Sequence, residues 1–419
     1  MRIAYITSRY PTVSHTFVLR EVQALRALGV DVETVTVKRP DDADVMAQDR
    51  AESARTWAIR PVPATALAAA HLAAAARHPR AYRECLALAW SRASGLGRDR
   101  AWALAYFVQA IRLWRHATRR GIDHLHAHFA NVGADVALLA ARFGRLAGRG
   151  PRTWSFTMHG PAEFYAVERF RLADKVRSAD FVACISDYCR SQLMGLVDER
   201  SWDKLTVIHC GIDPDLHAPD GERRNAADGE PLRVLCVGRL APVKAHILLL
   251  DAIAELRAAG HDVRLALVGD GERREAIRDH ARRFGLDEHV DQLGALGADE
   301  VREQLRRADI FCLPSFAEGV PVVLMEAMAS EVPVVATRIT GVPELVEDGE
   351  SGLLVRPGRT DQLVAALQLL VDDPALRARL GAAGRKAVVR EFTSSRAAMQ
   401  LRDAFHACTT QTTTPAASR

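Results

Sequence analysis

Residues 310–352 read IFCLPSFAEGVPVVLMEAMASEVPVVATRITGVPELVEDGESG. The opening run, Ile310 to Leu313, is short and wholly apolar, and Pro314 stops it. Such a run suits a strand buried on both faces of a parallel sheet. A loop follows from Ser315 to Gly319. Pro321 then opens a helix over Val322 to Ala329, since proline costs nothing where the first-turn N–H has no partner. A second apolar run, Val332 to Ala336, reads as the next parallel strand. The unit is β–α–β, and ligands of such units sit beyond the carboxyl ends of the strands.

Two glutamates occupy that end. Glu318 lies in the loop and Glu326 on the helix, among Leu324, Met325, Ala327 and Met328. A carboxylate inside an apolar helix needs a partner. It is either a structural ion pair or a ligand contact. Both glutamates flank a helix start with free amides at Val322 and Val323, and such an end attracts phosphate. Carboxylates that accept hydroxyls, set around an anion site, suggest a phosphorylated, polyhydroxylated ligand.

The stretch resembles the large retaining glycosyltransferase family 4. The matching residues are E-G-x-P-x-x-x-x-E-A-M-A-S from Glu318, then P-V-V-A-T, then G-V-P-E-L-V-E-D-G-x-S-G-L-L-V from Gly341. The resemblance implies an α/β protein of the GT-B fold, with two Rossmann-like domains facing across a cleft. It places the family's pair of glutamates on Glu318 and Glu326.

Composition agrees with two domains. The chain has 419 residues, too many for one ordinary core. It is 48% hydrophobic and 26% charged, with a formal charge of +4, which calls for no nucleic acid. Its seven cysteines are odd in number, and four stand in apolar runs, as buried thiols of a reducing compartment do. None has metal-site spacing. The N-terminal apolar run is too short for a signal peptide, and the alanine-rich stretch 62–76 is broken by His71. The expectation is a cytoplasmic protein, with any membrane contact peripheral.

The expected N-terminal domain spans residues 1–213. Arg2 to Thr7 and Asp31 to Val37 read as strands around a helix from Ser14 to Leu28, which Gly29 ends. The opening resembles an exopolysaccharide subgroup, colanic-acid-type enzymes among them, except that Ser14-His15-Thr16-Phe17 carries histidine for the usual glutamate. Residues 40–120 read as a helical insertion anchored by Trp57, Trp90, Trp102 and Trp114. Its arginines form either a solvated face or a basic surface toward anionic lipid. HLHAHF, 124–129, alternates histidine outward, so His126 and His128 read as strand-end residues lining the cleft, without metal. Thr153 to Met158 is a strand, and His159 at its end points into the crevice. In the resembling family the corresponding histidine faces the donor sugar.

Residues 214–231 are polar and rich in breakers, as a linker is. The expected C-terminal domain is 232–395, followed by a crossover helix, 396–408, and a disordered tail, 409–419. Strand Leu232 to Val237 leads into Gly238-Arg239-Leu240-Ala241-Pro242-Val243-Lys244. A glycine after a strand, with two cations at the next helix start, is a diphosphate-binding arrangement. G-R-L-x-x-x-K also resembles the family's motif there. Three positions depart from the family's usual glycine: Ala245, Glu331 and Thr340. Glu331 is disfavoured in a left-handed turn, so that turn is expected to differ.

The resemblance implies transfer of a sugar from a nucleotide-diphosphate sugar to a glycan, lipid-linked glycan or other acceptor hydroxyl. Arg239 and Lys244 hold the diphosphate, Glu326 the ribose, and Glu318 with the Gly319–Val320 backbone the sugar. His159 contributes from the other domain. No D-x-D pair stands at a plausible metal position, so no metal or other cofactor is expected. A nucleotide-sugar epimerase and a non-catalytic sugar-nucleotide binder are the alternatives. A dehydrogenase is disfavoured by the absence of G-x-G-x-x-G.

Overall fold

The computed structural model describes residues 1–12, 16–41, 45–46, 49–92, 97–219 and 230–411. The Ser14–His15 reading, most of the 214–231 linker and the end of the 409–419 tail lie outside the described residues. The chain divides into two compact units, Met1–Ile208 with Ala397–Arg419, and His209–Arg396. The expected limit after Asp213 differs from this division.

The first unit is built on a seven-stranded parallel sheet. Its strands are β1 (Arg2–Thr7), β2 (Asp31–Lys38), β3 (Trp57–Arg60), β4 (His124–His128), β5 (Thr153–Met158), β6 (Phe181–Cys184) and β7 (Leu205–Val207), in the order β3-β2-β1-β4-β5-β6-β7. β4, β5 and β6 are buried along their whole length. The Thr16–Ala27 helix buries Val18, Glu21, Val22 and Leu25. Ala397, Ala398, Leu401 and Phe405 of the Ser394–Gln411 helix complete the same core.

Residues 40–120 are not wholly helical. Helices Ala64–Arg77, Pro79–Ser91 and Arg98–Arg120 are present, but Trp57–Arg60 adds a parallel edge strand to β2. The tryptophans do not all anchor the segment either. Trp114 is buried and Trp57 stacks on His116 at 3.8 Å, whereas Trp90 and Trp102 are each 47% exposed.

The second unit has a six-stranded parallel sheet: β8 (Leu232–Val237), β9 (Val263–Val268), β10 (Val290–Gly294), β11 (Ile310–Leu313), β12 (Val334–Thr337) and β13 (Leu353–Val355), ordered β10-β9-β8-β11-β12-β13. The central helices His246–Ala258 and Thr360–Asp372 cover one face with leucine. Strand order reverses between β8 and β11 in this unit and between β1 and β4 in the other. Doubly wound sheets bind ligands at that point, at the carboxyl ends.

The three glycine replacements have a common backbone cause. Ala245, Glu331 and Thr340 all have positive φ, at 52°, 58° and 44°. The turn at Glu331 is therefore left-handed despite its side chain, contrary to expectation. Packing imposes it: a Cβ on Gly381 would lie 2.1 Å from the Glu331 carbonyl oxygen, so the Pro374–Glu391 helix fits closely against that turn.

Candidate active site

The second unit gathers the motif residues at its switch point. β8 ends at Val237 and β11 at Leu313, side by side. The loop after β8 is held from below, where Leu240 N–H donates to Asp270 O at 3.0 Å and Arg273 N–H to Leu240 O at 2.9 Å. A Cβ on Gly269 would lie 2.0 Å from Gly238 O, and one on Gly271 would lie 2.5 Å from Leu240 O. The Gly269-Asp270-Gly271 turn is thus a close-packed support for the Gly238–Leu240 loop. The two loops are tied directly by Phe316 N–H donating to Val243 O at 2.7 Å.

Lys244 and Glu318 meet there. Lys244 Nζ lies 2.5 Å from Glu318 Oε1, and Ser315 Oγ donates to the same oxygen at 2.6 Å. Ser315 is held in turn by Thr337 Oγ1, which donates to its carbonyl at 2.6 Å. Thr340 Oγ1 donates to Glu318 O at 2.5 Å. Glu318 is therefore gripped at backbone and side chain. Arg239, on the loop after β8, is exposed.

The helix behind them starts as expected, with Pro321 as its N-cap and Val322 as its first residue. Leu324 and Met325 N–H both turn back to Pro321 O, while the amides of Val322 and Val323 lie in the first turn. Gly319 leads into this turn, and Val320 is buried beneath it. At the other end, the Arg385 guanidinium donates to Ala329 O, and to Pro214 O at 3.1 Å. A cation at the carboxyl end follows the helix dipole. Glu326 is buried, with Oε1 4.0 Å from Nε2 of buried His217. Burial, with Lys244 beside it, lowers His246 to about 4, so its ring is neutral at pH 7.

The histidines of the first unit are placed differently from the sequence reading. His126 and His128 do not line a cleft; they and His124 are fully buried. His124 bonds Thr153 and Ser155, and His126 bonds Ser155 and Thr157, all at 2.7–2.9 Å across to β5. Alternation chose one face for these rings, and in this sheet both faces are covered. His159 is also buried. Its ring bonds His128 at 2.7 Å and packs on Phe17 and Phe129 at 4.6 and 4.9 Å. A carboxylate does stand by these histidines: Glu21, His126 and His128 present ligand atoms within 4.8 Å of one another.

Sequence reasoning missed Ser315, Thr340 as a clamp, His217 and Glu21. Glu21 was visible in principle, three residues after Val18 on the apolar stripe of its helix. Ser315 and His217 carry no such signal.

The family profile described as Glycosyltransferase Family 4 matches residues 14–216, and that described as Glycosyl transferases group 1 matches residues 219–387. The chain is similar to WcaL of Salmonella typhimurium, named for colanic acid biosynthesis, with 28% identity over 88% of this chain and 90% of that protein. It is 33% identical to the GDP-mannose-dependent alpha-(1-6)-phosphatidylinositol monomannoside mannosyltransferase of Mycolicibacterium smegmatis, over 61% of this chain and 69% of that one. Among solved structures, HepE of Anabaena in complex with UDP aligns over 97% of this chain and all of its own, with a TM-score of 0.73 and 18% identity. Fold, motifs and relatives agree: the chain is a glycosyltransferase of the GT-B fold and belongs to glycosyltransferase family 4.

Proposed function

We propose that this enzyme moves a sugar from a nucleotide-diphosphate sugar to an acceptor hydroxyl with retention of anomeric configuration. The observation that carries the reading is the Lys244–Glu318–Ser315 cluster beside Arg239, set where β8 and β11 diverge and next to a helix amino end. Lys244 has three N–H donors. One engages Glu318, and the others remain for the diphosphate, to which Arg239 offers a planar fork. The amides of Val322 and Val323 add to the same anion site, and Glu326 takes the ribose hydroxyls. Glu318 and the Gly319–Val320 backbone hold the sugar. A nucleotide sugar is supported by HepE, crystallised with UDP-glucose, and by the GDP-mannose-dependent relative.

In the step itself, the bond from the anomeric carbon to the diphosphate oxygen breaks. The acceptor oxygen bonds to that carbon on the same face. Its proton passes to the departing phosphate oxygen, whose charge Arg239 and Lys244 offset. Glu318 is poorly suited as a nucleophile, because its carboxylate is already committed to Lys244 and Ser315. With two cations on the diphosphate, no metal is required. A glycan or lipid-linked glycan is the acceptor class that WcaL's name favours. Peripheral contact with membrane is supported by exposed Leu72, Trp90 and Trp102 on successive helices among arginines, and cosedimentation with anionic vesicles tests it. No described helix is long and apolar enough to cross a membrane.

The test is a panel of UDP-glucose, UDP-N-acetylglucosamine and GDP-mannose, read by thermal shift and by release of nucleoside diphosphate in EDTA. One donor is expected to stabilise the protein and to turn over without divalent metal. A ligand at ~100 times its dissociation constant adds about 2.7 kcal/mol. Activity abolished by EDTA and restored by Mg²⁺ would contradict the metal-free reading.

A further inference from the structure

Glu21, His126 and His128 form a cluster inside the first unit. Glu21 lies on the Thr16–Ala27 helix and the two histidines on β4. Each presents a ligand atom within 4.8 Å of the other two, and all three residues are buried. His128 Nε2 stands 3.4 Å from Glu21 Oε1, yet it is buried with no hydrogen-bond partner among the described residues. Buried polar atoms left in this way are few in folded proteins. The spacing has a meaning of its own. Two ligand atoms on one tetrahedral metal, with bonds of about 2.0–2.1 Å, stand ~3.3 Å apart.

The surroundings suit a metal. Tyr5 Oη lies 2.7 Å from Glu21 Oε1 and orients the carboxylate. His159 Nε2 lies 2.7 Å from His128 Nδ1, and a bond to the far nitrogen fixes a ligating ring. His126 is bonded to Ser155 Oγ at 2.7 Å and to Thr157 Oγ1 at 2.9 Å. It gives up one of these to ligate and keeps the other as outer support. Ser155 retains His124, 2.7 Å from the same hydroxyl. The Tyr5 ring packs on both histidines at 4.9 Å, and Thr7 shares its face of β1. β1 sets Tyr5 beside His126 and Ile6 beside Ala127, so Thr7 falls next to His128. Thr7 Oγ1 is a second buried atom without a hydrogen-bond partner among the described residues.

We propose that Glu21, His126 and His128 bind one divalent transition metal of the Zn²⁺ class, which ties the Thr16–Ala27 helix to β4. Two imidazoles and a carboxylate suit such an ion, whereas Mg²⁺ and Ca²⁺ prefer oxygen alone. A water takes the fourth position, with Thr7 Oγ1 as its partner. Burial of all three ligands makes the metal structural, with no part in the transfer step.

The experiment incubates the full-length protein with Zn²⁺, desalts it and measures bound metal. The wild-type protein is expected to hold one Zn²⁺ at this site, and Glu21→Gln and His128→Gln to lose it. Tyr5→Phe keeps the three ligands but frees the carboxylate, and should weaken binding about tenfold. Zn²⁺ at ~100 times its dissociation constant should shift the folding equilibrium about 100-fold and raise the melting temperature, while Mg²⁺ leaves it unchanged. A wild-type protein without bound metal overturns the proposal, and leaves the cluster to a water or to an ion pair of protonated His128 with Glu21. Metal retained in full by folded Glu21→Gln and His128→Gln also overturns it. If those variants fail to fold, anomalous scattering at the zinc edge from crystals of the Zn²⁺-loaded wild-type protein decides, and a peak away from Glu21 and His128 overturns the assignment. Bound metal is the readout throughout, so failure of the donor reading leaves the result untouched.

Discussion

Lys244→Ala does two things at once. It removes a cation facing the diphosphate, and it leaves the Glu318 carboxylate without its partner in the same space. The side chains of the pair are 18% and 11% exposed, so it lies between a solvent pair worth ~0–1 kcal/mol and a buried one whose rupture costs ~3–5 kcal/mol. Removing one preorganised charge from a closed site costs roughly 2.7–4 kcal/mol of transition-state stabilisation, or about 10²–10³ in kcat/KM. Part of that loss is repulsion from stranded Glu318. Glu318→Gln in the same chain removes that part, so the double variant should be less impaired than the sum of the two singles. The expected coupling is about 1–2 kcal/mol, roughly 5–30-fold. The assay is initial rate of nucleoside diphosphate release at donor far below KM, with a melting temperature for each variant to confirm folding. Arg239→Ala is the reference, since Arg239 is exposed and lies outside the Lys244–Glu318 pair, and its loss should be close to additive with Glu318→Gln. Strict additivity of Lys244→Ala with Glu318→Gln would refute the idea that the two charges share the donor's space. Wild-type kcat/KM in both cation variants would refute the diphosphate site itself.

Two further outcomes follow from backbone and burial. Glu331→Gly relieves a left-handed residue and gives up only a 4.0 Å contact to Arg385, so it should raise stability by ~1 kcal/mol, about 2–4 °C in melting temperature, and a lower melting temperature would contradict the strain. His246 is held at about 4 against an ordinary 6.5, so the unfolded chain binds its proton first as pH falls; urea titrations should show a stability loss of order 3 kcal/mol from this group between pH 6.5 and 4, complete below 4 and flattened in His246→Asn.

The fold was legible where local chemistry and tertiary packing demand the same thing. Ile310–Leu313 had to be a buried strand because nothing polar interrupts it. Val322–Ala329 had to begin at Pro321 because proline there costs no hydrogen bond. Trp57–Arg60 was not legible: four residues with an arginine at the end carry no period, and pairing with β2 alone makes them a strand. The His124–His128 alternation gave the correct strand and the wrong surroundings, because periodicity reports which residues share a face, not whether that face is covered. At the site, Arg239, Lys244, Glu318 and Glu326 were named by motif spacing. Ser315 and His217 were not, since their roles come from chain segments brought together by the sheet. Ala245, Glu331 and Thr340 were noticed as missing glycines, and their positive φ angles give the reason glycine suits each position. Thr340 also uses its extra atoms to hold Glu318.

The anomeric configuration of the first-formed product tests the account most directly, and it needs no knowledge of the acceptor. Incubated with an α-linked donor alone, the enzyme transfers the sugar slowly to water, and 1H NMR reads the free sugar before it mutarotates. Same-face departure and attack, with Arg239 and Lys244 steadying the leaving diphosphate, predicts the α-anomer first. The β-anomer first would contradict retention and the mechanism built on it. A glycosyl ester trapped on Glu318 would keep retention but replace the same-face route by double displacement.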